Sequence, residues 1–158
     1  MAGNNKNQFG LIILGNSGVG ISFLANILLD REIFKHEFSA RSVTHHTEFQ
    51  EITFDDHHYT VFNIPSLIEA DQTRVDINKP EIDHAFTQRP SSLIIYVFGQ
   101  QNGRIRDEDV VAFNAINAAY QLNIESLLLV INGLPATRPK KYEGESCVLE
   151  VSIKGRDF

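Results

Sequence analysis

The chain has 158 residues, enough for one domain with a sizeable core, and its 42% hydrophobic and 22% charged residues are ordinary for a globular chain. A formal net charge of −6 argues against broad electrostatic attraction to nucleic acid or anionic membranes. The single Cys147 rules out an internal disulfide and fits a reducing, cytoplasmic compartment. No apolar run approaches the ~20 residues needed to span a bilayer, and the polar start MAGNNKNQ carries no secretory h-region.

Met1–Gln8 reads as a flexible arm ahead of a single domain spanning 9–158. The apolar run Phe9–Leu14 predicts a buried strand, and Ser22–Leu29 a helix with apolar Phe23, Leu24, Ile27 and Leu28. Asp30–Thr44 has no clean period and reads as a long loop. Glu48–Phe54 alternates as a half-buried strand does. Asp55-Asp56-His57 turns it back, and His58–Phe62 returns before Pro65 ends the run. Leu67–Asn78 is polar and irregular. Pro80–Thr87 predicts a short helix with its proline in the first turn.

Ser92–Phe98 is almost continuously apolar, as in a strand covered on both faces. A polar loop, Gly99–Arg106, follows. Asp107 is expected to cap a helix running to Tyr120, with Asp107-Glu108-Asp109 as a helix-start acid cluster suited to the helix dipole rather than a catalytic group. Ser126–Ile131 and Val148–Ile153 predict two further strands. Strands alternating with helices indicate an α/β sandwich whose sheet is mostly parallel, and the Glu48–Phe62 hairpin supplies one antiparallel edge strand.

The chemistry concentrates in Gly15-Asn16-Ser17-Gly18-Val19-Gly20-Ile21-Ser22, between the first strand and helix. Three glycines let the backbone curl so that its N–H groups converge, and the helix N-terminus adds partial positive charge. This is the layout of a phosphate-binding P-loop, G-x-x-x-x-G-K-[ST], met at Gly15, Gly20 and Ser22 but not at the lysine, where Ile21 stands.

Further elements then fall in order. Ala25-Asn26-Ile27-Leu28 resembles the GNSIL that follows the P-loop in the immunity-associated (GIMAP or avirulence-induced) GTPases, relatives of the Toc and septin GTPases. Ser42-Val43-Thr44 resembles that family's SVT switch. Phe62-Asn63-Ile64-Pro65-Ser66-Leu67 is similar in place to its VDTPGL, and Gly103–Asp109 to its GR-[FY]-T-x-E-D element. Val130–Pro135 falls where a guanine-reading turn would lie. The resemblance implies a three-layer P-loop NTPase fold (G domain), apparently truncated at the C-terminus, where Phe158 follows the last strand without a covering helix. It further implies a guanine nucleotide, GTP or GDP, with Mg²⁺. The implied nucleotide-binding residues are Gly15, Asn16, Ser17, Gly18, Val19, Gly20, Ile21, Ser22, Phe23, Thr44 and Asn132, with Ser22 and Thr44 on the metal. Nucleotide-dependent dimerisation across the switch face is implied too.

The departures bear on activity. Ile21 removes the cation that meets the β- and γ-phosphates. Asn63 replaces an Asp of the Mg²⁺ shell, Ser66 a glycine whose N–H meets the γ-phosphate, and Pro135 the Asp that reads guanine. Slow or absent hydrolysis is the expectation, and no catalytic residue is assigned. The rival expectation is a pseudo-GTPase that binds no nucleotide and presents Arg31–Thr44 and Leu67–Asn78 as a fixed interaction face. The pairs His45-His46 and His57-His58 bracket the hairpin and lie too far apart for one metal site. His45 and His46 are candidates for positioning water beside the γ-phosphate, or plain loop histidines.

Overall fold

The computed structural model describes residues 8–34, 46–65 and 73–134, the last segment with side chains from residue 78. Strand β1 (Gln8–Gly15) runs through the centre of the sheet because Ile12, Ile13 and Leu14 are buried on both faces. Helix α1 (Ile21–Leu29) follows, then β2 (Glu48–Phe54), β3 (His57–Asn63), helix α2 (Thr73–Gln88), β4 (Ser92–Gln101), the short β5 (Arg104–Ile105), helix α3 (Asp107–Tyr120) and β6 (Leu127–Asn132). The main order across the sheet is β2-β3-β1-β4-β6, with β5 folded back on the end of β4. β1 pairs in parallel with β3 and β4, and β4 with β6, whereas β2 is the antiparallel edge strand expected from the hairpin pattern.

The parallel strands bury alternate side chains against opposite layers. Ile12, Leu14, Phe62, Ile94, Tyr96 and Phe98 face α2 and α3, meeting Ile82, Ala85 and Ile116. Ile13, Val61, Ile95 and Val97 face α1, meeting Ile21, Ala25 and Leu29. Each large aliphatic side chain so covered contributes about 1.5–3 kcal/mol, and the result is a three-layer α/β sandwich.

Two local features explain how α1 is placed. Its apolar stripe follows the i, i+4, i+8 spacing of Ile21, Ala25 and Leu29. Buried Asn26 then fixes the exit of the chain: its Nδ2 donates to the Phe34 carbonyl at 2.8 Å, while its Oδ1 accepts from the N–H groups of Ile33 (3.1 Å) and Phe34 (2.8 Å). Asn26→Ala orphans these backbone groups, and a loss of about 1–3 kcal/mol is expected in urea unfolding. A loss within experimental error would show that the loop finds other partners.

Three sequence expectations need correction. Helix α2 starts at Thr73, well before the expected Pro80, and carries the proline inside. Pro80 lacks an N–H and crowds the preceding turn, but here it does not mark the helix start. The loop expected over Gly99–Arg106 is a continuation of β4 into a tight hairpin with β5. Asn102 (φ 54°) and Gly103 (φ 78°) both take left-handed conformations, the Asn-Gly signature of a two-residue turn. Asp107 is the first residue of α3 rather than its cap; extended Arg106 holds that position without a side-chain cap bond. The predicted strand Val148–Ile153 lies outside the described residues.

Candidate functional site

Gly15, Asn63 and Asn132 end three parallel strands on one edge of the sheet, the edge at which α/β folds of this type bind ligands. The glycine loop leaves β1 there and enters α1. Gly18 (φ 77°) and Gly20 (φ 89°) take left-handed conformations. At Gly20 the demand is also spatial, since a Cβ would collide with the Asn132 amide. That amide donates to the Val19 carbonyl at 2.8 Å, and the Asn132 Oδ1 accepts from the Gly133 N–H at 2.8 Å. The predicted nucleotide-binding Asn132 thus serves first as a tether between β6 and the loop. Helix α1 begins without a side-chain cap, the arrangement by which a helix start receives an anion.

Ile21 does not point its side chain toward the loop opening. It is 7% exposed and packs among Val19, Ala25 and Val97 beneath the loop. Ser22 lies in the first turn and meets Asn63 from the end of β3. The Asn63 Nδ2 donates to the Ser22 Oγ at 3.1 Å and to the Glu48 Oε2 at 3.3 Å, and the Ser22 Oγ lies 3.4 Å from the Asn63 Oδ1.

The other side of the loop is held by a network invisible to the motif reading. Asp109, read from the sequence only as one of three acids at the start of a helix, is completely buried. Its carboxylate accepts from Arg106 Nη2 (2.7 Å) and Nε (3.0 Å), from the Gly99 N–H (2.7 Å) and from the Asn16 Nδ2 (2.9 Å). Arg106 also donates to the Ser17 carbonyl at 3.2 Å, and Asn16 to the Glu108 carbonyl at 3.0 Å. The hydrogen bond with Asp109 holds the Arg106 guanidinium above its ordinary value. The Tyr96 hydroxyl donates to the Asp109 carbonyl at 2.9 Å, and burial pushes that phenol well above the usual tyrosine range. The signal was present in helical phase: Asp109 shares the buried stripe of Ala112 and Ile116, three and seven residues on.

Among the other candidates, Ser17 is half-buried, Gly18 exposed, and Phe23 is 48% exposed on α1. Thr44, His45, Ser66 and Pro135 lie outside the described residues. His46 stands 3.8 Å from Glu81. His57 contacts the Asp55 carbonyl, and His58 contacts Thr53, on the exposed hairpin. Two shallow clefts, of about 440 and 490 Å³, are lined by Phe86, Tyr120 and Leu122 and by Phe9, Tyr59 and Leu93. They lie at the opposite end of the strands and include none of the loop residues.

The sheet order, the glycine loop at the end of β1 and the converging strand ends define a P-loop GTPase-type G domain. Solved structures of that class superpose on it. One concerns the chloroplast translocon components atToc33 and psToc159, whose dimerization is described as important for their GTPase activity; it has a TM-score of 0.69 at 19% identity, covering 88% of this chain and 57% of the other. Another, Era in complex with MgGDPNP and a 16S ribosomal RNA fragment, also has a TM-score of 0.69 at 19% identity, covering 94% and 48%. At that identity the likeness establishes the fold. The family is shown by sequence: the AIG1 family model matches residues 9–140, and the chain belongs to the AIG1 family. The mouse protein GTPase IMAP family member 8 is 30% identical over 128 residues, and its rat counterpart 29% over 129. Each match covers 80% of this chain but 19% of the relative, so the chain spans about one-fifth of the length of these proteins.

Proposed function

We propose that this G domain, from residue 9 onward, binds a guanine nucleotide on the loop Gly15–Phe23 in the cytoplasm. Turnover is slow or absent, and two copies pair across the switch face when nucleotide is bound. The single observation that supports this most is the uncapped start of α1, entered from a glycine loop at the end of a central parallel strand. Backbone N–H groups and helix dipole there favour a phosphate. Ser22 and the neighbouring Asn63 and Glu48 are oxygen donors, a set that suits Mg²⁺. Ser22 would hold the ion, joined by Thr44 from the family resemblance. When bound, the ion neutralises phosphate charge. No helix among the described residues is long and apolar enough to cross a membrane.

Slow turnover follows from the residues present. Ile21 is buried and supplies no charge, and Asn63 is neutral. The inward Ile21 and the engaged Asn132 amide also favour the rival reading of a pseudo-GTPase interaction module. Thermal unfolding with Mg²⁺ and GDP, GTP or ATP separates the two. Ligand at a hundred times its Kd adds about 2.7 kcal/mol, and each kcal/mol raises the midpoint by about 2–4 °C in a domain of this size. A rise with GDP and GTP but not ATP is expected. No rise at millimolar nucleotide would leave the interaction module. Sedimentation with a non-hydrolysable GTP analogue tests the pairing, which fails if the protein stays monomeric at saturating nucleotide.

A further inference from the structure

We propose that Glu48 is the carboxylate of a divalent-cation site shared with Ser22 and Asn63, whose bound ion supplies the positive charge that this loop lacks. The inference rests on the nucleotide-binding reading above, and it assigns a residue that no P-loop motif contains. The antiparallel register sets Glu48 directly opposite Asn63, so the first residue of the edge strand stands at the same sheet edge as the phosphate loop. Its Oε2 lies 3.3 Å from the Asn63 Nδ2, and the same amide reaches the Ser22 Oγ at 3.1 Å. Three elements, the first turn of α1, the end of β3 and the start of β2, thereby bring a hydroxyl, an amide and a carboxylate into one cluster. Oxygen ligands of this kind select hard divalent cations.

The charges around the cluster point the same way. Asn63 is 1% exposed and neutral. Ile21 leaves the loop without a cation of its own. Three residues along β2, Glu51 meets Arg89 at 3.3 Å, but Glu48 has no cationic partner among the described residues. A polyphosphate bound on the loop would therefore face an uncompensated carboxylate. Like charges in one site repel unless a cation lies between them. A divalent ion shared by Ser22, Glu48 and a phosphate oxygen removes the repulsion, so nucleotide binding should depend strongly on the metal.

The test has two arms, using the wild-type chain and Glu48→Gln, an isosteric change on an exposed residue whose unchanged melting temperature confirms folding. In the first arm Mn²⁺ is titrated into nucleotide-free protein and followed by electron paramagnetic resonance. Loss of a ligand is expected to weaken Mn²⁺ binding about 10–100-fold. In the second, affinity for fluorescently labelled GDP is measured with Mg²⁺ and with chelator. The Mg²⁺ enhancement should shrink by a similar factor in Glu48→Gln, while the metal-free affinity stays level or rises. Glu48→Gln combined with Asn63→Asp should recover the enhancement, because the carboxylate returns one strand away. Nucleotide binding whose Mg²⁺ enhancement is unchanged in Glu48→Gln overturns the site and leaves the function standing. Glu48-dependent Mn²⁺ binding without any GDP binding supports the site and removes the function. No Glu48-dependent metal effect in either arm overturns the site.

Discussion

Replacing Asp109 with alanine is expected to destabilise the domain by about 3–5 kcal/mol, because breaking a buried ion pair strands its partner. The carboxylate receives four donors from three parts of the chain: Asn16 in the loop, the Gly99 backbone in β4 and both faces of the Arg106 fork. Water reaches part of Arg106, whose side chain is 19% exposed, which sets the cost toward the lower end. Against a typical total of about 5–15 kcal/mol, that is a large fraction of the stability. Asp109→Asn keeps one acceptor and should fall between. Urea unfolding of the two variants measures the effect; a cost below about 1 kcal/mol, the value of an exposed pair, would mean that the network is dispensable. A double variant, Arg106→Met with Asp109→Leu, should cost less than the sum of the single changes, since no charge is then left alone.

The second large effect concerns Ile21→Lys, which restores the motif residue. Ile21 lies inside the layer under α1, so lysine must either bury its ammonium or thread its stem up to the loop opening. Losing the packed side chain costs about 1.5–3 kcal/mol in the nucleotide-free protein. A charge-assisted contact to phosphate returns about 1.5–3 kcal/mol once nucleotide binds. The variant should therefore melt lower than wild type alone and gain more from Mg²⁺-GDP than wild type does. Calorimetric titration checks the gain, expected at about tenfold or more. If affinity does not improve, the missing lysine is not what limits binding, and attention moves to Asn63 and Pro135.

These two residues also show how far the sequence could be read. The loop, its flanking strand and helix, and the hairpin Glu48–Phe62 were legible because glycine spacing and apolar patterning are local signals. That the sheet is mostly parallel followed from the alternation of strands with helices, whereas the order of its strands depends on long-range pairing that no local pattern carries. The three acids do stand in the first turn of α3, as read, but the burial of Asp109 was not read, because three adjacent acids look alike in one dimension and only the phase of α3 against the sheet singles out the third. The early start of α2 was missed because its first turn is polar and aperiodic, and a proline inside a helix imitates its beginning. The Asn102-Gly103 turn was readable by its residue pair but was absorbed into a longer polar stretch. The direction of Ile21 could not be read locally, since it depends on how α1 rolls against β1 and β4.

The ties on the glycine loop bear on how a ligand would be met. Asn132 holds the Val19 carbonyl from one flank, and Arg106 and Asn16 hold the other. A loop fixed at both flanks is preorganised: little backbone entropy remains to be lost when an anion arrives. Encounter is then set by diffusion and charge rather than by loop ordering, and the weakness of a site without its lysine is expressed in how fast the ligand leaves.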